Sequence, residues 1–95
     1  MFHPDRPYRC APSVALRPER FGALAYDFRT RRLSFLKSPE LVSVVTALAG
    51  HPDVHSALEG AGVAPARRDA CLRALATLAK SGVVEARERV AERAA

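Results

Sequence analysis

Residues 21–41 read FGALAYDFRTRRLSFLKSPEL, and the period of the apolar pattern changes inside this stretch from two to about 3.6. In ALAYDF (23–28), Leu24, Tyr26 and Phe28 fall on one side of an extended chain, and Ala23, Ala25 and Asp27 on the other. RLSFLK (32–37) alternates again, with Leu33 and Phe35 on one side and Ser34 and Leu36 on the other. The polar link Arg29-Thr30-Arg31 has the length of a hairpin connection, so the two runs are expected to pair as antiparallel strands. Ser38-Pro39-Glu40 then carries the marks of a helix start: a hydroxyl N-cap, proline at the first helical position and an acid at the positive dipole end.

Upstream, VALR (14–17) alternates as far as Pro18, and PERFG (18–22) supplies turn chemistry, which adds a strand and makes a three-stranded antiparallel meander. Downstream, Leu41, Val44, Val45 and Leu48 follow at i, i+3, i+4 and i+7 until Gly50. Asp53 is placed to cap a short second helix through Leu58, closed by Gly60 and Gly62. Pro65 opens a third, whose apolar stripe is Cys71, Leu72, Leu75, Leu78 and Ala79, and Ser81-Gly82 stops it. Val83-Val84 is a scrap of extended chain. The fold class is therefore α+β: a three-stranded antiparallel meander followed by three helices, winged helix-turn-helix-like in outline. The expected core is Leu16, Leu24, Tyr26, Phe28, Leu33, Phe35, Val44, Leu48, Leu72, Leu75 and Leu78. Residues 1–12, with three prolines and no periodicity, are expected to be an arm with little structure; the domain spans 13–84, and 85–95 form a charged tail.

Ninety-five residues with 48% apolar and 26% charged side chains make one small globular domain, too small for a deep active site. No run approaches the roughly 18 apolar residues of a membrane span. The start, MFHPDRPYRC, lacks the apolar stretch of a signal peptide, and two cysteines do not make a disulfide framework, so a cytoplasmic protein is expected. The formal charge is +5, but its distribution is uneven: residues 1–37 hold eight basic groups against three acidic ones, and 38–95 hold seven of each. A protein that reads DNA with a helix carries its charge near that helix, so the distribution argues against nucleic acid. A winged-helix DNA-binding regulator, with Arg67 and Arg68 entering the major groove, is the alternative from another class.

Catalysis has little material. His51 and His55 have an i, i+4 spacing, but Pro52 and Asp53 intervene and no further ligands complete a set, so neither metal nor cofactor is expected. Cys71 lies on an apolar stripe and is expected to be a buried inert thiol; Cys10 is expected to be exposed and has no evident base. The chain is not expected to be an enzyme. Binding has better material. The last strand of the meander, Leu33-Ser34-Phe35-Leu36-Lys37, has one edge unpaired, and its apolar run lacks the proline or internal charge that normally blunts an edge. Either a guest peptide adds there as a further strand, or the edge is covered or self-paired. The N–H of Ser34 or of Leu36 is expected to face outward. Arg67, Arg68 and Arg73 on the third helix offer a charged second wall.

The stretch 21–41, with VALRPER (14–20) before it, resembles the mycofactocin biosynthesis peptide chaperones, relatives of the pyrroloquinoline quinone biosynthesis chaperone within the RiPP recognition elements. The resemblance covers roughly 13–84. It implies a non-catalytic domain that binds the leader of the mycofactocin precursor peptide. It also implies a partner, a radical S-adenosylmethionine maturase that carries the iron–sulfur clusters and modifies the precursor's C-terminal Val-Tyr end. In related domains the leader adds to the edge of the third strand and lies against the third helix. Carried onto this sequence, the peptide-binding residues are Leu33, Ser34, Phe35, Leu36 and Lys37, with Arg68, Cys71, Leu72 and Leu75 on the helix.

Overall fold

The computed structural model describes residues 2–87. Strands β1 (Tyr8–Cys10), β2 (Val14–Glu19), β3 (Gly22–Asp27) and β4 (Arg32–Leu36) precede helices α1 (Pro39–Ala47), α2 (Val54–Gly60) and α3 (Arg68–Ser81), and β5 (Val84–Ala86) follows. β2, β3 and β4 form the antiparallel meander, in that order. The helix starts are the expected ones. Ser38 accepts from the Leu41 N–H at 3.1 Å, and Asp53 accepts from the Ser56 N–H at 2.7 Å. Short 3-10 turns, Leu48–Gly50 after α1 and Pro65–Arg67 before α3, extend the two helices, and Gly82 closes α3 at a left-handed φ of 89°.

Two expectations are corrected. Residues 1–12 are not a loose arm. Tyr8–Cys10 pairs antiparallel with Val84–Ala86, matching Tyr8 to Ala86 and Cys10 to Val84. Tyr8 is buried and Phe2 packs on its ring at 4.9 Å. The Val54 N–H donates to Pro4 O and the Ala11 N–H to Val83 O, so this segment closes over α2 and the end of α3. Cys10 is half-buried rather than exposed, and burial, helped by the Glu85 carboxylate, pushes its thiol up. The start of the charged tail belongs to the domain too: the Arg87 guanidinium donates to the carbonyls of Tyr8, Leu48 and His51. Residues 88–95 of that tail lie outside the described residues.

The second correction concerns which face of the sheet is buried. The inner face is Ala23, Ala25 and Asp27 of β3 with Leu36 of β4, and it packs on Leu41, Val44, Val45 and Leu48. Leu24, Tyr26, Phe28, Leu33 and Phe35, expected in the core, face away from the helices; Phe28 is 62% exposed, Leu33 60% and Phe35 56%. The register explains the inversion. Leu36 stands two residues before the cap of α1, which folds back over it, so Leu36 points inward and Phe35 and Leu33 outward. The cross-strand pairs Leu24–Phe35 and Tyr26–Leu33 carry the same polarity into β3. Alanines on the inner face let α1 lie close to the sheet, and fully buried Leu36, Leu48, Leu58, Leu75, Val44, Val45, Val54 and Val84 fill the core.

Asp27 ends the inner face of β3 and shapes the hairpin turn. Its Oδ1 accepts from the N–H groups of Arg29 (2.9 Å) and Thr30 (3.4 Å), and Arg31 completes the turn at a left-handed φ of 61°. Burial raises its pKa, but the Ser13 hydroxyl, the two N–H groups and the Arg29 charge outweigh that and hold it below the usual carboxylate value. The Ser56 N–H and hydroxyl hold Asp53 down as well, against a smaller opposing effect of burial. Both carboxyls bind protons more weakly folded than unfolded. Their contribution to stability is therefore complete above the unfolded value, about pH 4, and is lost as pH falls through the folded values. Melting temperature is expected to fall below about pH 4, and less steeply in Asp27→Asn, in thermal melts from pH 7 to pH 2.

Candidate functional site

The phase of the meander decides what its edges offer. The Phe28 N–H donates to Ser13 O at 2.8 Å, which makes Phe28 a hydrogen-bonded neighbour of the β2 side. Backbone groups along a strand alternate in direction, so Tyr26 and Leu24 also bond toward β2, and Asp27, Ala25 and Ala23 bond toward β4. On β4 the partners Arg32, Ser34 and Leu36 then spend their N–H and C=O groups on β3. Those of Leu33 and Phe35 point out of the sheet, with Lys37 next in line. The outward donors are thus Leu33 and Phe35, not Ser34 or Leu36.

The opposite edge of the meander is blunted. By the same alternation β2 presents Val14, Leu16 and Pro18. The Val14 N–H already donates to Ala11 O at 2.9 Å, and Pro18 has no N–H. Only Leu16 remains. The edge of β4 is therefore the better acceptor for an added strand, and no described strand pairs with it.

Beyond Phe35 this edge runs into a cleft of about 180 Å³, lined by Lys37, Ser38, Glu40 and Leu41 on one side and Arg67, Ala70, Cys71 and Ala74 on the other. Pro39 at the start of α1 and Pro65 ahead of α3 set the two walls. Arg67 Nε and Glu40 Oε1 meet across the mouth at 3.3 Å, in a partly exposed pair whose worth is at most about 1 kcal/mol. The Cys71 thiol points at the same Glu40 oxygen, 3.6 Å away. Burial pushes that thiol up, and the Glu40 carboxylate adds to the effect, so it stays protonated and inert, as the apolar stripe implied.

The sequence-derived candidates separate by position. Leu33 and Phe35 lie on the open edge, while Lys37 and Cys71 line the cleft. Ser34 is half-buried on the inner face, and Leu36 and Leu75 are fully buried core. Leu72 is half-buried and packs against the core. Arg68 reaches back to the Val63 carbonyl at 3.5 Å. Glu40, Ala70 and Ala74 were missed, because only the approach of α1 to α3 makes them neighbours. No described helix is long and apolar enough to cross a membrane.

The model of the Peptide chaperone MftB family matches residues 7–85. The Peptide chaperone MftB of Mycobacterium tuberculosis is 51% identical over 87 residues, which cover 92% of this chain and 80% of the relative. That of Mycobacterium ulcerans is 49% identical over 87 residues, with the same two shares of 92% and 80%. That of Mycolicibacterium smegmatis is 51% identical over 83 residues, 87% of this chain and 81% of the relative. No solved structure matches the chain.

Proposed function

The chain belongs to the peptide chaperone MftB family, and from that premise we propose that it captures the leader of the mycofactocin precursor peptide as a strand on β4 and presents it to a radical S-adenosylmethionine maturase in the cytoplasm. Peptide chaperone is a non-catalytic role. The observation that carries the reading is the edge of β4. Leu33 and Phe35 turn unspent donors and acceptors outward, and the strand leads into the cleft between α1 and α3. Strand addition takes affinity from main-chain hydrogen bonds and specificity from pockets for alternate side chains. Lys37 at the cleft suits acidic side chains on the guest. Leu33, Phe35, Lys37 and Cys71 touch the guest directly, while Ser34, Leu36, Arg68, Leu72 and Leu75 shape the platform beneath it. Holding the leader raises the local concentration of the modified segment at the maturase without new chemistry.

The DNA-binding alternative loses ground at α3. Arg67 is engaged with Glu40 and Arg68 with the Val63 carbonyl, so the start of that helix is not a free basic end. Calorimetric titration with the precursor peptide and with duplex DNA separates the two. Precursor binding with a shallow salt dependence is expected. Silence toward the peptide together with a steep salt slope on DNA would replace the reading with the regulator.

A further inference from the structure

The face of the meander turned away from the helices is an exposed apolar surface. Leu24, Tyr26, Leu33 and Phe35 form its cross-strand pairs. Phe21 stands 6.0 Å from Phe35, ring centre to ring centre, and Phe28 meets Tyr26 edge-on at 5.2 Å. The fold does not use these rings, since its core lies on the opposite face. An aromatic cluster left in water on a small domain marks an interaction surface.

Its border is basic. Arg17 lies opposite Leu24 on this face, Lys37 follows Phe35, Arg20 sits in the turn before β3, and Arg31 stands in the hairpin turn. Glu19 answers Arg17 at 3.1 Å. On the footing that the chain works with a maturase, we propose that this face docks that enzyme through a surface with apolar residues at its centre and Asp and Glu at its rim.

Three considerations select that occupant. Charge complementarity asks for a carboxylate-rimmed partner, whereas a second copy of this chain would set arginines against arginines. Aromatic residues and arginine are enriched in protein interfaces and lysine is depleted, and three of these four basic groups are arginine, which favours protein over a lipid surface. Finally, an added strand lies in the plane of the sheet, alongside β4, so the guest and the docked enzyme occupy different directions and bind together.

The test uses purified maturase and precursor peptide with wild-type protein, Phe28→Ser and Arg17→Glu. Both side chains are exposed, so the variants are expected to melt like the wild type. Each is expected to weaken maturase binding at least tenfold and leave precursor affinity unchanged, with the Arg17→Glu effect shrinking as salt rises. Maturase that ignores both changes, or does not bind wild type, overturns the proposal. A wild-type dimer in sedimentation that Phe28→Ser dissociates assigns the face to a second copy and also overturns it. Flotation with phosphatidylglycerol vesicles, lost in Phe28→Ser while maturase binding persists, overturns it in favour of a membrane. Failure of the precursor to bind wild type, with the maturase still held through Phe28, sinks the leader-capture reading and leaves the docking face standing.

Discussion

Phe35→Pro is expected to weaken precursor binding about 10- to 100-fold in a protein that still folds, and Leu33→Pro to do the same. Each replaces an N–H that points out of the sheet, so the exchange costs β3 no hydrogen bond. Each also places a ring where the guest's carbonyl would sit, which removes a main-chain bond and blocks the approach of its neighbours. The residues before them, Arg32 and Ser34, are already extended, which is what a following proline requires. Neither side chain belongs to the core, since both are more than half exposed. Ser34→Pro is the contrasting control: its N–H bonds β3, so this change is expected to lower the melting temperature. Calorimetry alongside thermal melts reads both effects. Undiminished precursor binding by folded Phe35→Pro and Leu33→Pro would rule out strand addition at β4.

The largest stability loss is expected at Gly22. Its φ of +152° is rarely adopted by residues with a side chain, and a Cβ there would stand 2.1 Å from Leu36 O, 2.9 Å from Ser38 N and 3.0 Å from Ser38 O. All three are backbone atoms, fixed by the pairing of β4 with β3 and by the cap of α1, so relief requires parting the hairpin from the helix. Strain and overpacking together make Gly22→Ala cost about 2–6 kcal/mol. For a domain of this size that lowers the melting temperature by at least about 10 °C. Gly50 provides the comparison. A Cβ there meets nothing within 4 Å, so Gly50→Ala is expected to stay within about 1 kcal/mol of wild type. Gly22→Ala melting within a few degrees of wild type would mean that the contact between Gly22 and the segment 36–38 is not as close as described.

What was legible in the sequence is local. The hairpin, the Ser38 and Asp53 caps and the Gly82 stop depend on neighbours a few residues away, and all are where they were expected. The buried face of the sheet was not legible. Alternation divides β3 into two sides without saying which one α1 covers, and here the small side, Ala23 and Ala25, wins because it admits the helix closely. β1 was missed because three residues show no period and their partner, β5, lies at the far end of the chain. The open edge of β4 could be located from its apolar run, but not the direction of its donors, which the Phe28–Ser13 bond sets. Cys71 was placed correctly as a buried thiol, whereas its neighbour Glu40 comes from another helix and leaves no mark in the local pattern.

The pairing of Tyr8 with Ala86 brings the two extremities of the fold together like a clasp. A circularly permuted chain, joined there by a short glycine-serine bridge and opened at the exposed Gly62 instead, would keep every strand and helix intact. Segments attached next to Tyr8 and next to Ala86 would therefore leave from one corner of the domain.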